Sequence, residues 1–365
     1  MDTAVVTREH TTTGAARHLV HRPQPWEHTG PAAAPPAAEE FVLTGELPTG
    51  HPLLNDGPRH FHDMQAAAEM LREVGEFIGR DRFGVPAERS GIFYRVGIDV
   101  TDLAPWRVRA GAAGPGRLTT VMRVRPDKVV DGVPRALEFR TALEIDEVPC
   151  GTGSANLVFL APMVHRNHRT HSRRAALDAV RGPGGRPHPA AGSTRMPVRE
   201  PAREQVRGSA YESAHESAYE FAHDPVDAGE VGRGDPRNVL LHAPSALAHG
   251  RLSAAVHVPP HWPAGRCGGD GDGHVPALAL LEALRQTSLL AVGRGHGMAA
   301  GRSTLAALQV HVRGYAEADL PMRCAAVAGR PGRDAEGRRT ASLTLTLAQA
   351  GRTVLEATTT VVEDH

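Results

Sequence analysis

Short stretches of alternating apolar and polar residues recur along this chain, in the pattern of half-buried antiparallel strands. The first set is Phe41-Val-Leu-Thr44, then 92–100 (IFYRVGIDV), 118–124 (LTTVMRV), 137–145 (LEFRTALEI) and 154–160 (SANLVFL). The second set is Val239-Leu-Leu-His242, then 252–258, 304–312, 323–329, 340–348 and 353–362. Each set is interrupted early by a helical period, from about His62 to Arg80 in the first and from about Val275 to Gly293 in the second. One long helix followed by a run of strands, stated twice, predicts a duplicated α+β unit.

The two helices differ in pattern. In the second, Leu280, Leu281, Leu284, Leu290, Ala291 and Val292 point in nearly every direction, which predicts a helix buried all round. Its polar exceptions are Glu282, Arg285 and Gln286. At ~100° per residue they share roughly one quarter of the circumference. A polar stripe on a buried helix needs partners, because an unpaired buried charge is costly. The first helix repeats the spacing with Glu69, Arg72 and Glu73. There His62 and Glu76 extend the stripe opposite a clean apolar face of Met64, Ala67, Leu71, Val74 and Ile78, which also describes an ordinary amphipathic helix.

Composition sets the boundaries between these units. Residues 1–38 are polar and Pro/Ala-rich and read as a flexible tail. Residues 167–230 hold RNHRTHSRR, a Gly/Pro-rich run and the repeat SAYESAHESAYEFAH, and read as a flexible linker or insertion. The expected domains are therefore 39–166 and 231–365. The basic cluster 166–174 lacks interleaved aromatics and reads as a solvated flank, so no nucleic-acid partner is expected. A formal net charge of zero gives no field toward nucleic acid or an anionic membrane. No apolar run approaches the ~20 residues that span a bilayer, and the first residues lack the pattern of a signal peptide. Three scattered cysteines, Cys150, Cys267 and Cys324, suggest neither disulfides nor zinc, and the many histidines lack metal-ligand spacing. A cytoplasmic protein without a metal or cofactor is the expectation.

The stretch His274-Val-Pro-Ala-Leu-Ala-Leu-Leu-Glu-Ala-Leu-Arg-Gln286 resembles the helix signature of the A-factor (γ-butyrolactone) biosynthesis hotdog family. His51-Pro-Leu-Leu, His60-Phe-His-Asp63 and Glu69-Met-Leu-Arg72 resemble its first-domain counterpart. Similarity extends to Val231-Gly-Arg233 before Asn238-Val-Leu-Leu241, and to Gly151-Thr-Gly153 before Ala161-Pro-Met-Val-His165-Arg166. The resemblance implies a tandem double hotdog, each domain a long central helix wrapped by an antiparallel sheet. Two departures stand out. Glu73 follows Arg72 where the family has Gln, and Gly-Gly-Asp-Gly-Asp-Gly (268–273) replaces an Asp-His-Pro element before the second helix.

By resemblance, the chain is an acyltransferase. It joins a β-ketoacyl group from an acyl-carrier or CoA thioester to the hydroxyl of dihydroxyacetone phosphate, on the way to butenolide and γ-butyrolactone signals. Such chemistry needs a base for the hydroxyl proton, donors for the oxyanion and cations for the phosphate. The expected catalytic residues are Glu282 as base, Gln286 as donor or orienter, and His62. The expected substrate-binding residues are Arg285, Glu69, Arg72, His60 and His51. Because hotdog pockets form between domains, Glu282 is expected to face His51, His60 or His62. No GxSxG serine or base-paired cysteine is evident, which favours direct transfer over an acyl-enzyme. Two other readings stand beside this one: a non-catalytic acyl-binding or regulatory protein, and a hotdog thioesterase or dehydratase.

Overall fold

The computed structural model describes residues 5–7, 17–22, 38–47, 56, 60–108, 116–181, 224–259, 262 and 273–365. In chain order the first half supplies β1 (Val5–Thr7), β2 (Arg17–Arg22), β3 (Glu39–Glu46), α1 (Gln65–Phe83), β4 (Ser90–Val100), β5 (Arg117–Val130), β6 (Val133–Ile145) and β7 (Val148–Leu160). Helix α2 (Pro162–Arg181) follows. The second half supplies β8 (Leu241–His242), β9 (Arg251–Val256), α3 (Ala277–His296), β10 (Ser303–Val312), β11 (Met322–Ala328), β12 (Gly332–Arg333), β13 (Arg339–Gln349) and β14 (Arg352–Glu363).

The strands form one antiparallel sheet in the order β1-β2-β3-β5-β6-β7-β4-β10-β14-β13-β11-β9-β8. Reading outward from the central pair β4 and β10, each strand of one half meets its counterpart in the other: β7 and β14, β6 and β13, β5 and β11, β3 and β9. The two sheets are therefore joined edge to edge, with Ala307 opposite Asp99 and His311 opposite Arg95. That join covers an edge on each half that would otherwise be open to foreign strands. With a central helix packed on each half, this is the double-hotdog arrangement.

The helices differ as their sequences predict. From Leu278 to Val292 every residue of α3 is buried. Helix α1 buries Gln65 to Leu71 and then only one face. Gly75 and Gly79, one turn apart, let α1 lie close to the sheet. A Cβ at Gly75 would strike the Phe93 ring, and one at Gly79 the Phe159 ring. The strands follow the period-2 rule, as in β13, where Ala341, Leu343, Leu345 and Leu347 are buried between exposed or half-buried neighbours.

The duplication extends to the loops that lead into the helices. His62 N donates to Trp106 O at 2.8 Å, and Val275 N donates to Ala316 O at 2.8 Å. Phe61 bridges Arg107 as His274 bridges Glu317. This register equates His60 with Gly273 and His62 with Val275. Carried along the helices at the same spacing, it equates Glu69, Arg72 and Glu73 with Glu282, Arg285 and Gln286.

Two expectations of flexibility need correction. Within 1–38, residues 17–22 form a strand paired with β3, and Leu19, opposite Leu43, is buried. The linker expected to begin at 167 begins inside α2. That helix is held because Arg173 Nη1 bonds Glu317 Oε2 at 3.0 Å and its Nη1 and Nη2 grip Asp319. Ser172 Oγ accepts from Arg352 Nη1 at 2.6 Å. The composition looked solvated because the partners of these arginines lie some 140 residues downstream. Residues 182–223 and the tail outside its two strands fall outside the described residues.

Candidate functional site

Glu282 sits in the second turn of α3 and is fully buried. Its carboxylate is ringed by donors. Arg233 Nε reaches Oε1 at 2.8 Å and Arg233 Nη2 reaches Oε2 at 2.6 Å. Arg285, one turn along the helix, adds Nε to Oε2 at 3.0 Å and Nη2 to Oε1 at 3.3 Å. Gln286 Nε2 reaches Oε1 at 2.6 Å. Gln65, the first residue of α1, reaches across from the other half to Oε2 at 3.0 Å.

Arg233 ties the halves together. Its Nη1 bonds Asp56 Oδ1 and Asp63 Oδ2, both at 2.8 Å, and Asn238 Nδ2 bonds Asp56 Oδ2 at 2.5 Å. Burial disfavours the Arg233 charge, but Asp63, Glu282 and Asp56 more than offset this, so its pKa stands well above the ordinary value. Its motif, Val231-Gly-Arg233, was visible in the sequence, yet nothing local marked Arg233 as the partner of a helix far along the chain.

This geometry changes the roles expected of α3. A carboxylate has about four lone-pair directions, and here six donor contacts converge on it. Every one of these contacts comes from a donor of the protein, and together they tie α3 to the first half through Gln65 and Arg233. Gln286 is equally occupied. Its Nε2 serves Asn238 O at 2.8 Å as well as Glu282, and its Oε1 accepts from Leu240 N at 2.8 Å. Arg285 spends Nε and Nη2 on Glu282 and Gly232 O. Glu69, the counterpart on α1, is also buried but is gripped bidentately by Arg72 at 2.8 and 2.7 Å.

The histidines expected opposite Glu282 are held elsewhere. His60 Nε2 pairs with Asp364 Oδ2 at 2.9 Å. The same carboxylate takes two bonds from Arg107, at 2.6 and 2.8 Å, which hold its pKa far below the usual carboxylate range. His62 lies within its own half, its Nε2 beside Gly116 and near Leu47 and Ile145. The backbone bond from His62 N to Trp106 O fixes this segment on the 104–107 turn. His51 lies outside the described residues.

His62 is the most chemically distinctive side chain of the set. It is 7% exposed, and among the described residues its Nδ1 has no hydrogen-bond partner. Burial depresses its pKa, partly countered by Asp63 and Asp146. The imidazole is therefore neutral at pH 7, with an unused nitrogen, at the start of α1. Cys150 and Cys324 are buried and their thiols are pushed up to about 12 by burial, which suits packing and not nucleophilic attack.

A charge-reversed pair of contacts binds the halves at the two ends of the sheet. At one end Arg107 of the first half holds Asp364 of the second. At the other the corresponding position is Glu317, fully buried, held by Arg173 at 3.0 Å with Arg169 at 3.6 Å, both from α2.

Residues 215–362 match the family model of the A-factor biosynthesis hotdog domain (AfsA), so the resemblance carried by the α3 motif holds for the second half. No curated protein matches the chain. Among solved structures the chain is similar to a 12:0-ACP thioesterase from Umbellularia californica, at 9% identity and a TM-score of 0.45, over 89% of this chain and 94% of that one. It is also similar to an acyl-ACP thioesterase from Bacteroides thetaiotaomicron, at 10% identity and a TM-score of 0.43, over 88% and 97%. A third is a protein with a hot dog fold from Alicyclobacillus acidocaldarius, at 10% and 0.42, over 89% and 93%.

Proposed function

We propose that this protein transfers a β-ketoacyl group from an acyl-carrier or CoA thioester to the hydroxyl of dihydroxyacetone phosphate. The observation that supports this reading is the A-factor biosynthesis hotdog domain matched over residues 215–362. In this reading His62 is the base. Its neutral imidazole takes the hydroxyl proton as the alcohol oxygen attacks the thioester carbonyl. The carbon–sulfur bond then breaks, and the departing thiolate takes the proton back from the imidazolium. The imidazolium exists only between attack and departure, as a site that disfavours its charge requires.

The remaining expected residues are assigned on the same basis. Arg72 and Glu69 line the α1 side of the substrate, with His60 at its entrance, and His51 keeps its expected binding role without a described position. Glu282, Gln286 and Arg285 hold the two halves in register and bear on the rate through position. The test is incubation of the full chain with a β-ketoacyl thioester and dihydroxyacetone phosphate, read by mass spectrometry. Ester or its cyclised product supports the proposal, and free acid alone would mark a thioesterase.

A second reading is favoured by one observation, the saturation of Glu282 and Gln286 by internal partners. A double hotdog whose helix carboxylate is sequestered can bind an acyl ligand and regulate without turnover. Thioester binding with no product of any kind selects it.

A further inference from the structure

A cavity of about 290 Å³ lies at the end of the sheet where β14 stops, lined by Arg302, Arg333, Arg339, Glu363, Asp364 and His365. The acids on its wall are already engaged. Glu363 accepts from Ala299 N at 2.7 Å and from Arg339 at 2.9 Å. Asp364 is held by Arg107 and His60 from behind. Arg339 is used up differently, since it also caps α3 through the carbonyls of His296 and Gly297.

Arg302 and Arg333 are left over. Among the described residues, Arg302 gives only Nη2, to the Asp364 carbonyl at 2.8 Å, and Arg333 gives only Nη1, to the Gly337 carbonyl. Neither meets a carboxylate among the described residues. Two exposed guanidiniums, Arg302 and Arg333, border one small open pocket beside His365, with the side-chain carboxylates of Glu363 and Asp364 engaged by other partners. We propose that this pocket binds a phosphate monoester, held by the two arginines that meet no side-chain carboxylate among the described residues.

The position fits the reaction proposed above. Asp364, on the cavity wall, is bonded to His60, and His60 lies two residues before His62, a span of at most ~7 Å of chain. The volume is near the lower end of small-ligand pockets, ~300–1,000 Å³, and suits one phosphorylated headgroup. Two sources share this chemistry: the phosphate of a small phosphorylated acceptor, and the 3′-phosphate of a CoA thioester. The inference rests on the proposed function only for the identity of the ligand, because phosphate binding is read without turnover.

The experiment is calorimetric titration of the full chain at pH 8 with inorganic phosphate, glycerol 3-phosphate, CoA and dephospho-CoA. Saturable one-site binding of phosphate is expected, weakened about tenfold or more, ~1.4 kcal/mol, by Arg333→Gln and by Arg302→Gln. Arg125→Gln, an exposed arginine on β5 paired with Glu138, should leave it unchanged. Arg333 is exposed, so its variant reports even where Arg302→Gln fails to fold. A preference for CoA over dephospho-CoA identifies the cofactor phosphate, and tighter binding of glycerol 3-phosphate identifies the acceptor. Absence of saturable binding, or equal binding by both variants and the parent, overturns the site. Loss of phosphate binding in Arg333→Gln without any acyl transfer keeps the site and sinks the transfer reading alone.

Discussion

Replacing Glu282 with Gln separates a catalytic base from a clamp. The substitution keeps volume but swaps one oxygen for an NH₂ group, inside a ring where every neighbour is a donor. Whichever oxygen is retained, the donors of the other lose their acceptor, and a guanidinium is left facing an amide. Arg233 and Arg285 side chains are 1% and 6% exposed, so water cannot replace what is lost. Removing one partner of a buried ion pair costs about 3–5 kcal/mol. Arg233 keeps Asp56 and Asp63, which argues for the lower end, about 3 kcal/mol. At about 2–4 °C per kcal/mol, the midpoint of thermal unfolding should fall by roughly 6–12 °C. The folded fraction should keep its activity within about tenfold, since general-base removal would cost ~10²–10⁴-fold. Differential scanning calorimetry beside the mass-spectrometric assay decides it. An unchanged melting temperature with activity lost by ~10²-fold or more would refute the clamp and restore Glu282 as base.

Other expected outcomes follow from the same geometry. The Asp364 pKa is depressed, chiefly by its bonds from Arg107, so its contribution to stability is present above the unfolded carboxylate pKa, ~3.9, and is lost as pH falls through the acid range. Asp364→Asn should lower the melting temperature at pH 7, and its difference from the parent should shrink progressively as pH falls below ~3.9. His62 is also depressed, by burial, so the parent should lose stability as pH drops below ~6.5, and His62→Gln should flatten that slope in melting curves. If His62 is the base, the acid limb of the pH–rate profile should likewise lie below ~6.5. Gly79→Ala should destabilise by ~1–3 kcal/mol despite better helix propensity, because the new Cβ meets the Phe159 ring. Cys150 and Cys324 should resist alkylation in the native protein at pH 8 and react only on unfolding, as peptide mapping would reveal.

The fold was legible because its signals are local. Alternation located the inner strands of both halves but missed β1, β2 and β12 and cut β5 and β7 short, while the all-round apolar pattern of 278–292 marked a buried helix before any contact was known. The polar stripe was equally legible, and its need for partners was correct. What could not be read was which partners. Arg233, Asp56 and Asp63 come from loops separated from Glu282 by up to 226 residues, and no spacing rule connects them. The same holds for α2, where arginines that look solvated are spent on Glu317.

The two copies of the helix motif have diverged in opposite ways, and this argues for where the chemistry lies. In the second copy the helix stripe is fully engaged by a clamp that spans both halves, while the positions that match His60 and His62 are Gly273 and Val275, with His274 between them against the Tyr315 ring. Neither can titrate or donate from a side chain. In the first copy the stripe is closed more simply, by Arg72 on Glu69, and the positions before the helix are His60 and His62. One is joined to an acid at the rim of an arginine-lined cavity, and the other is buried and neutral with a nitrogen to spare among the described residues. A symmetric ancestor with two equal pockets would carry both features twice. Here structural cohesion has collected at the α3 carboxylate, and the two histidines that match Gly273 and Val275 stand at the start of α1. If the proposed transfer takes place on the α1 side, His62→Gln should cut the turnover of the full chain by ~10²–10⁴-fold, and an unchanged rate in that variant would move the chemistry to the α3 side.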